Sequence, residues 1–147
     1  MADITSSVQI ILPQHCNGYA RPRLFGGQIM AWIDVVGAVA ARRYTGQAVT
    51  TVCIDNLNFL QPAYLNDTIV QEAVVTWTGR TSLEVRVESM VERLDGSREL
   101  INRAYLVFVA LDDEDRPVQV PEFIPDTNEE KQEYAAALER RRIRLNR

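Results

Sequence analysis

One carboxylate stands alone in a long apolar run. From Gly26 to Ala41 the chain reads GGQIMAWIDVVGAVAA, and Asp34 is its only charge. At helical spacing Ile29, Ile33, Gly37 and Ala40 share one face, and Gly27, Met30, Asp34, Ala38 and Ala41 form the adjoining stripe. A helix apolar nearly all round is expected to be buried. An unpaired carboxylate there costs several kcal/mol. Asp34 therefore has either a structural partner or chemical work to do, as a base or a nucleophile. The other candidates are few. His15 is the single histidine, lies in a loop, and has no neighbours that complete a nucleophile triad. Cys16 and Cys53 are the only cysteines and lack metal-ligand spacing. Gly79-Arg80-Thr81-Ser82 is a polar turn between two apolar segments.

The elements that must position Asp34 follow from pattern. Residues 8–12 form a short apolar run ending at Pro13, a first strand. Residues 14–24 are a loop. The helix runs from near Gly26 to Arg43-Tyr44, with Arg42 and Arg43 at its negative end. Residues 49–60 are β-branched and partly alternating, with Val49, Thr51, Cys53, Asp55, Leu57 and Phe59 on one side. Residues 68–78 place Ile69, Ala73, Val75 and Trp77 on one face. Residues 82–93 alternate Leu83, Val85 and Val87 inward with Glu84, Arg86 and Glu88 outward and wet, the antiparallel signature. Asp95-Gly96 is a hairpin turn. Residues 99–111 are apolar on both faces, as in a sheet centre or at a subunit contact. Pro117, Pro121 and Pro125 space an extended segment. Thr127 and Glu130 form a capping box for a last helix over about 127–145. A single sheet can enclose a helix apolar on every side only by curling around it, or with help from a second subunit. The expected class is α+β, one domain over 1–147.

Bulk properties narrow the function. The 147 residues carry 16 basic and 20 acidic side chains, a net charge of -4 that argues against general nucleic-acid binding. Lys131 is the only lysine, so the positive charge is almost all arginine. The N-terminus shows neither a basic nor an apolar leader region, and the longest apolar run is too short to span a bilayer. With two lone thiols, the expected compartment is the cytoplasm.

Four landmarks, in order, carry a resemblance. They are His15-Cys16-Asn17-Gly18 ahead of Phe25-Gly26-Gly27; the helix motif Gly26 to Asp34; Val49-Thr50-Thr51 leading to Asp55-Asn56-Leu57-Asn58-Phe59-Leu60-Gln61-Pro62; and Gly79-Arg80-Thr81-Ser82-Leu83-Glu84-Val85. Across about residues 8–121 the chain resembles the hot-dog-fold acyl-CoA thioesterases of the bacterial acyl-CoA hydrolase type, related to the brain-type cytosolic enzymes. The segment 19–24 is about two residues longer than that pattern.

The resemblance implies an acyl-CoA thioester hydrolase with Asp34 catalytic, as general base or by direct attack to an anhydride. Backbone N–H groups at Gly26 and Gly27 would polarise the thioester carbonyl, and glycine permits close approach. Asn17 would bond the carbonyl or the water, and Thr50 would hold the water or Asp34. Arg80, Thr81 and Ser82 would meet the phosphates or pantetheine of CoA. Phe59, with Met30, Trp32 and Trp77, would line an acyl tunnel or simply fill the core. No cofactor is expected, because CoA is part of substrate and product, and no metal. The family also implies a homo-oligomer, a dimer at least and commonly a trimer of dimers, with Asp34 of one subunit facing the Asn17 loop of the other. No nucleic acid or membrane partner is expected. The alternatives are a non-catalytic acyl-CoA binder or sensor, and, ranked lower, a hydratase, which needs a histidine nearer the helix than His15.

Overall fold

The computed structural model describes residues 3–18 and 20–147, and of Asn56 only the backbone. Tyr19, the first residue of the lengthened segment, lies outside the described residues. Along the chain are β1 (Thr5–Ile10), a 3-10 turn (Pro13–His15), β2 (Cys16–Asn17), β3 (Arg23–Leu24), α1 (Gly26–Thr45), β4 (Ala48–Phe59), β5 (Thr68–Thr78), β6 (Ser82–Glu92), β7 (Arg98–Leu111) and α2 (Asn128–Leu145). Five strands pair antiparallel in the order β1-β5-β6-β7-β4. The short β2 and β3 make a separate hairpin within what the sequence reads as loop.

The sheet curls around α1. Ile29, Ile33, Val36, Gly37, Ala40 and Ala41 are buried on the helix, against a sheet face that includes Ile69, Val85, Leu106 and Phe108. A Cβ on Gly37 would stand 3.3 Å from the Phe108 ring, so glycine lets the helix ride low over β7. The helix ends at Gly46, in the left-handed conformation (φ 67°), with its N–H on the Arg42 carbonyl. Of the two ways to bury the helix all round, the curl of the sheet does not suffice: one copy of the chain covers one side. Met30 and Val35 remain exposed, as does Val52 on β4. β4 and β1 are the sheet edges.

The pairing shifts at several bulges, and two of them move residues away from the face expected of them. In β4 the pairing steps from Thr51–Phe108 to Cys53–Val107, with Val52 the extra residue. In β5 it steps from Val75–Val85 to Trp77–Glu84, with Thr76 extra. A bulge exchanges the faces of the residues beyond it until another restores them, as a second step between Asp55 and Asn58 does in β4. Cys53 and Asp55, expected on the side of Val49 and Thr51, and Trp77, expected on the face of Ile69, Ala73 and Val75, therefore lie on the opposite, outer face, where α2 packs. Glu84, expected in water, is 2% exposed. It accepts from the Thr76 hydroxyl (2.5 Å) and takes two bonds from the Arg140 guanidinium of α2 (2.8 and 2.9 Å). Arg140 stacks 3.6 Å over the Tyr105 ring and also reaches Glu133. Asp55 is held by Arg144 and Arg147. The arginines of α2 thus fasten that helix to the sheet. Its first turn carries the expected capping box of Thr127 and Glu130.

Candidate active site

Asp34 lies in the middle of α1, half-buried, beside the free edge of the sheet. Its Oδ1 accepts a hydrogen bond from the Thr51 hydroxyl at 2.7 Å. A donor on one oxygen fixes the carboxylate's rotation and leaves the other oxygen for a substrate or water. The sequence reading named Thr50 for this place, and the structure corrects it by one residue. Thr50 pairs with Val109, Thr51 with the core residue Phe108. Alternation sends the Thr51 side chain toward the helix and that of Thr50 to the opposite face. The signal was present, because Thr51 shares its face with Val49, which packs on the core.

The start of α1 is prepared differently. Phe25 is the residue before the first turn; its side chain makes no cap, and no acidic residue follows in that turn. The amides of Gly26 and Gly27 belong to the first turn and have no carbonyl partner within the helix. The helix therefore presents donors and a positive end that no carboxylate of the first turn neutralises. A Cβ on Gly27 would come within 2.6 Å of the Phe25 ring, and one on Gly26 within 3.8 Å of the Phe59 ring. Phe25 and Phe59, both about half exposed, flank the glycine pair.

Asn17 ends β2 opposite Arg23. The hairpin is fixed to the helix start: the Phe25 N–H donates to the His15 carbonyl at 2.8 Å, and the His15 ring meets Trp32 edge-on at 4.9 Å. His15 Nδ1 accepts from the Leu12 N–H at 3.0 Å, so its role is structural. Asn17 makes no hydrogen bond to Asp34 among the described residues. The Gly79–Ser82 turn closes with the Gly79 N–H on the Ser82 carbonyl (2.8 Å), while the carbonyls of Arg80 and Thr81 hold Val120 and Ala110. The Arg80 side chain is exposed. Ser82 pairs with Val109 on one side of β7, and Thr51 with Phe108 on the other. At the usual strand spacing, that turn and Thr51 lie about 10 Å apart at one level of the sheet.

The expected site residues thus fall into two groups. Asp34, with Thr51, shares one level with Arg80, Thr81 and Ser82. Asn17, Gly26, Gly27 and Phe59 gather at the helix start. Seven residues of helix separate Gly27 from Asp34, a rise of about 10 Å. Within one copy the two groups therefore stand apart along the helix. Among the described residues no three His, Cys, Asp or Glu side chains cluster to hold a metal ion, and no helix is long and apolar enough to cross a membrane.

Residues 22–94 match the family model of the thioesterase superfamily. The uncharacterized acyl-CoA thioester hydrolase YkhA of Bacillus subtilis is 39% identical over 125 residues, which are 84% of this chain and 73% of that protein. Mouse acyl-coenzyme A thioesterase 11 is 36% identical over 96% of this chain, which spans only 24% of that longer protein. A hexameric acyl-CoA thioesterase solved without ligand superimposes with a TM-score of 0.90 at 35% identity, covering 97% of this chain and 91% of its own. An acyl-CoA hydrolase of Staphylococcus aureus, solved with butyryl-CoA and CoA, gives 0.87 at 34% identity over 97% and 88%. The curled sheet around a central helix is the hot-dog fold, and the chain belongs to the thioesterase superfamily.

Proposed function

We propose that this protein hydrolyses acyl-CoA thioesters to a carboxylic acid and CoA, with Asp34 as the general base or nucleophile. The observation that carries the reading is the Asp34–Thr51 pair. The S. aureus acyl-CoA hydrolase was also solved with an aspartate and with a threonine replaced by alanine, and those two residues are 17 apart, as Asp34 and Thr51 are. The asparagine replaced in the same enzyme sits two residues nearer its aspartate than Asn17 does to Asp34, which matches the longer 19–24 segment.

As a base, Asp34 takes a proton from water, and the new C–O bond turns the carbonyl oxygen into an oxyanion. The Gly26 and Gly27 amides, with Asn17, stabilise that charge. The C–S bond then breaks, and the CoA thiolate takes the proton from Asp34. As a nucleophile, Asp34 attacks the carbonyl itself, and the C–S bond breaks to release the CoA thiolate and leave an acyl–Asp34 anhydride. Water then opens that anhydride to the carboxylic acid and the Asp34 carboxylate, its remaining proton going to the thiolate. Arg80, Thr81 and Ser82 meet the phosphates and pantetheine. No other cofactor enters either route.

The roughly 10 Å between Asp34 and its own helix start supports a shared site, in which Asp34 of one copy works with the Asn17 hairpin and Gly26-Gly27 of another. The exposed Met30, Val35 and Val52 and the open edge of β4 supply the surface for that pairing. The hexameric acyl-CoA thioesterase at 35% identity supports a hexamer, read here as a trimer of such dimers. The unpaired cysteines suit the cytoplasm. The test is thiol release from a panel of acyl-CoAs. Wild type should cleave at least one, and folded Asp34→Asn should lose about a hundredfold or more. CoA binding without turnover by wild type, or an Asp34→Asn protein at full rate, would overturn the reading.

A further inference from the structure

A cavity of about 340 Å³ opens beside the glycine pair, with Arg23 and Gln61 among its lining residues beside a mostly apolar set. Gly26 forms part of its lining, with Leu24, Ile29, Phe59, Ala63 and Ile101. Gly26 is where the carbonyl is polarised in the reading above, so a chain attached to that carbonyl has this cavity within reach. The floor is closed: Ile29, Ile101 and Ala63 are 1%, 2% and 5% exposed. The walls are tied by backbone bonds, Leu24 N–H to the Ala63 carbonyl and Leu60 N–H to the Ile101 carbonyl, both 2.8 Å. Phe59, 53% exposed, stands at the mouth. The volume lies at the small end for ligand sites.

We infer that this pocket takes the acyl chain, that its closed floor restricts the substrate to short and medium chains, and that Ala63 and Phe59 set the limit. The inference rests on the hydrolase reading. A buried floor stops a chain that outgrows it, and each methylene that still fits gains about fourfold in kcat/KM. Phe59 supplies the wall that keeps the first methylenes from water.

The experiment measures kcat/KM for acetyl-, butyryl-, octanoyl- and palmitoyl-CoA with wild type, Ala63→Phe and Phe59→Ala, with folding checked by circular dichroism. Wild type should improve from acetyl to butyryl or octanoyl and fall off for palmitoyl. Ala63→Phe should move the best substrate to a shorter chain. Phe59→Ala, at an exposed position that tolerates truncation, should reduce the octanoyl-to-acetyl ratio by about fourfold or more. If wild type prefers palmitoyl-CoA, or if Phe59→Ala leaves the order of substrates unchanged, the pocket assignment is wrong while the hydrolase reading stands. If wild type cleaves none of the four and no other acyl-CoA, the hydrolase reading fails and the pocket assignment falls with it.

Discussion

The hydroxyl of Thr51 is the most informative atom to remove, because its neighbour Thr50 provides an internal control. In Thr51→Val the 2.7 Å bond to Asp34 Oδ1 is lost with little change in side-chain shape. A hydrogen bond to a charged group contributes about 1.5–3 kcal/mol. The pair is exposed in one copy of the chain, which places it at the lower end, and about 1.5 kcal/mol is roughly tenfold in rate. Because the bond orients the carboxylate rather than holding substrate, the loss should fall on kcat, with KM changed by less than about twofold. Thr51→Ser keeps the donor and should recover most of the rate. Thr50→Val, on the opposite face of β4, should stay near wild type. Steady-state thiol release on a cleaved acyl-CoA reads all three. A Thr51→Val enzyme at full kcat, or a Thr50→Val enzyme as impaired as Thr51→Val, would refute the orientation of β4 at Asp34.

Other predictions concern the outer face. Arg140→Met leaves Glu84 buried without its cation and should destabilise the fold by about 3–5 kcal/mol in urea unfolding, while the double variant with Glu84→Leu should recover most of that loss. Burial, with the Glu133 carboxylate beside it, pushes the Tyr105 phenol up to about 12. Its ordinary value in the unfolded chain is about 10. The folded form therefore resists deprotonation, and the stability this supplies is complete below about pH 10 and is lost as pH rises toward about 12. Urea midpoints from pH 9 to 12 should fall more steeply in wild type than in Tyr105→Phe, and equal slopes would contradict the assignment.

Much of the scaffold was legible because its punctuation is local. Asn66-Asp67, Gly79-Arg80 and Asp95-Gly96 separate β4 to β7, and β5 was expected over the residues it occupies, Thr68–Thr78. The cap of α2 depends only on Thr127 and Glu130. The bulges at Val52 and Thr76 were not legible, because they serve the curvature of the sheet and leave no mark in residue type. Their consequence is large: Cys53, Asp55 and Trp77 change faces. Glu84 misled for a related reason. Alternation correctly turned it outward, but the partner that buries it, Arg140, lies 56 residues further along. At the site, Asp34 and the glycine pair stood out as an isolated charge and a helix start. Thr51 was missed by one position. The β2–β3 hairpin was missed because its two-residue strands depend on contacts with distant residues, such as Arg23 with Tyr64.

The central claim is that Asp34 acts with the helix start of another copy. Mixing two variants that are each inactive, Asp34→Asn and Asn17→Ala, tests it. In a two-fold pair the mixed dimer holds one site with both defects and one with neither, so random exchange should restore roughly a quarter of the wild-type thiol-release rate. A mixture that has exchanged subunits, shown by native mass spectrometry, yet stays as inactive as its parents would contradict the account.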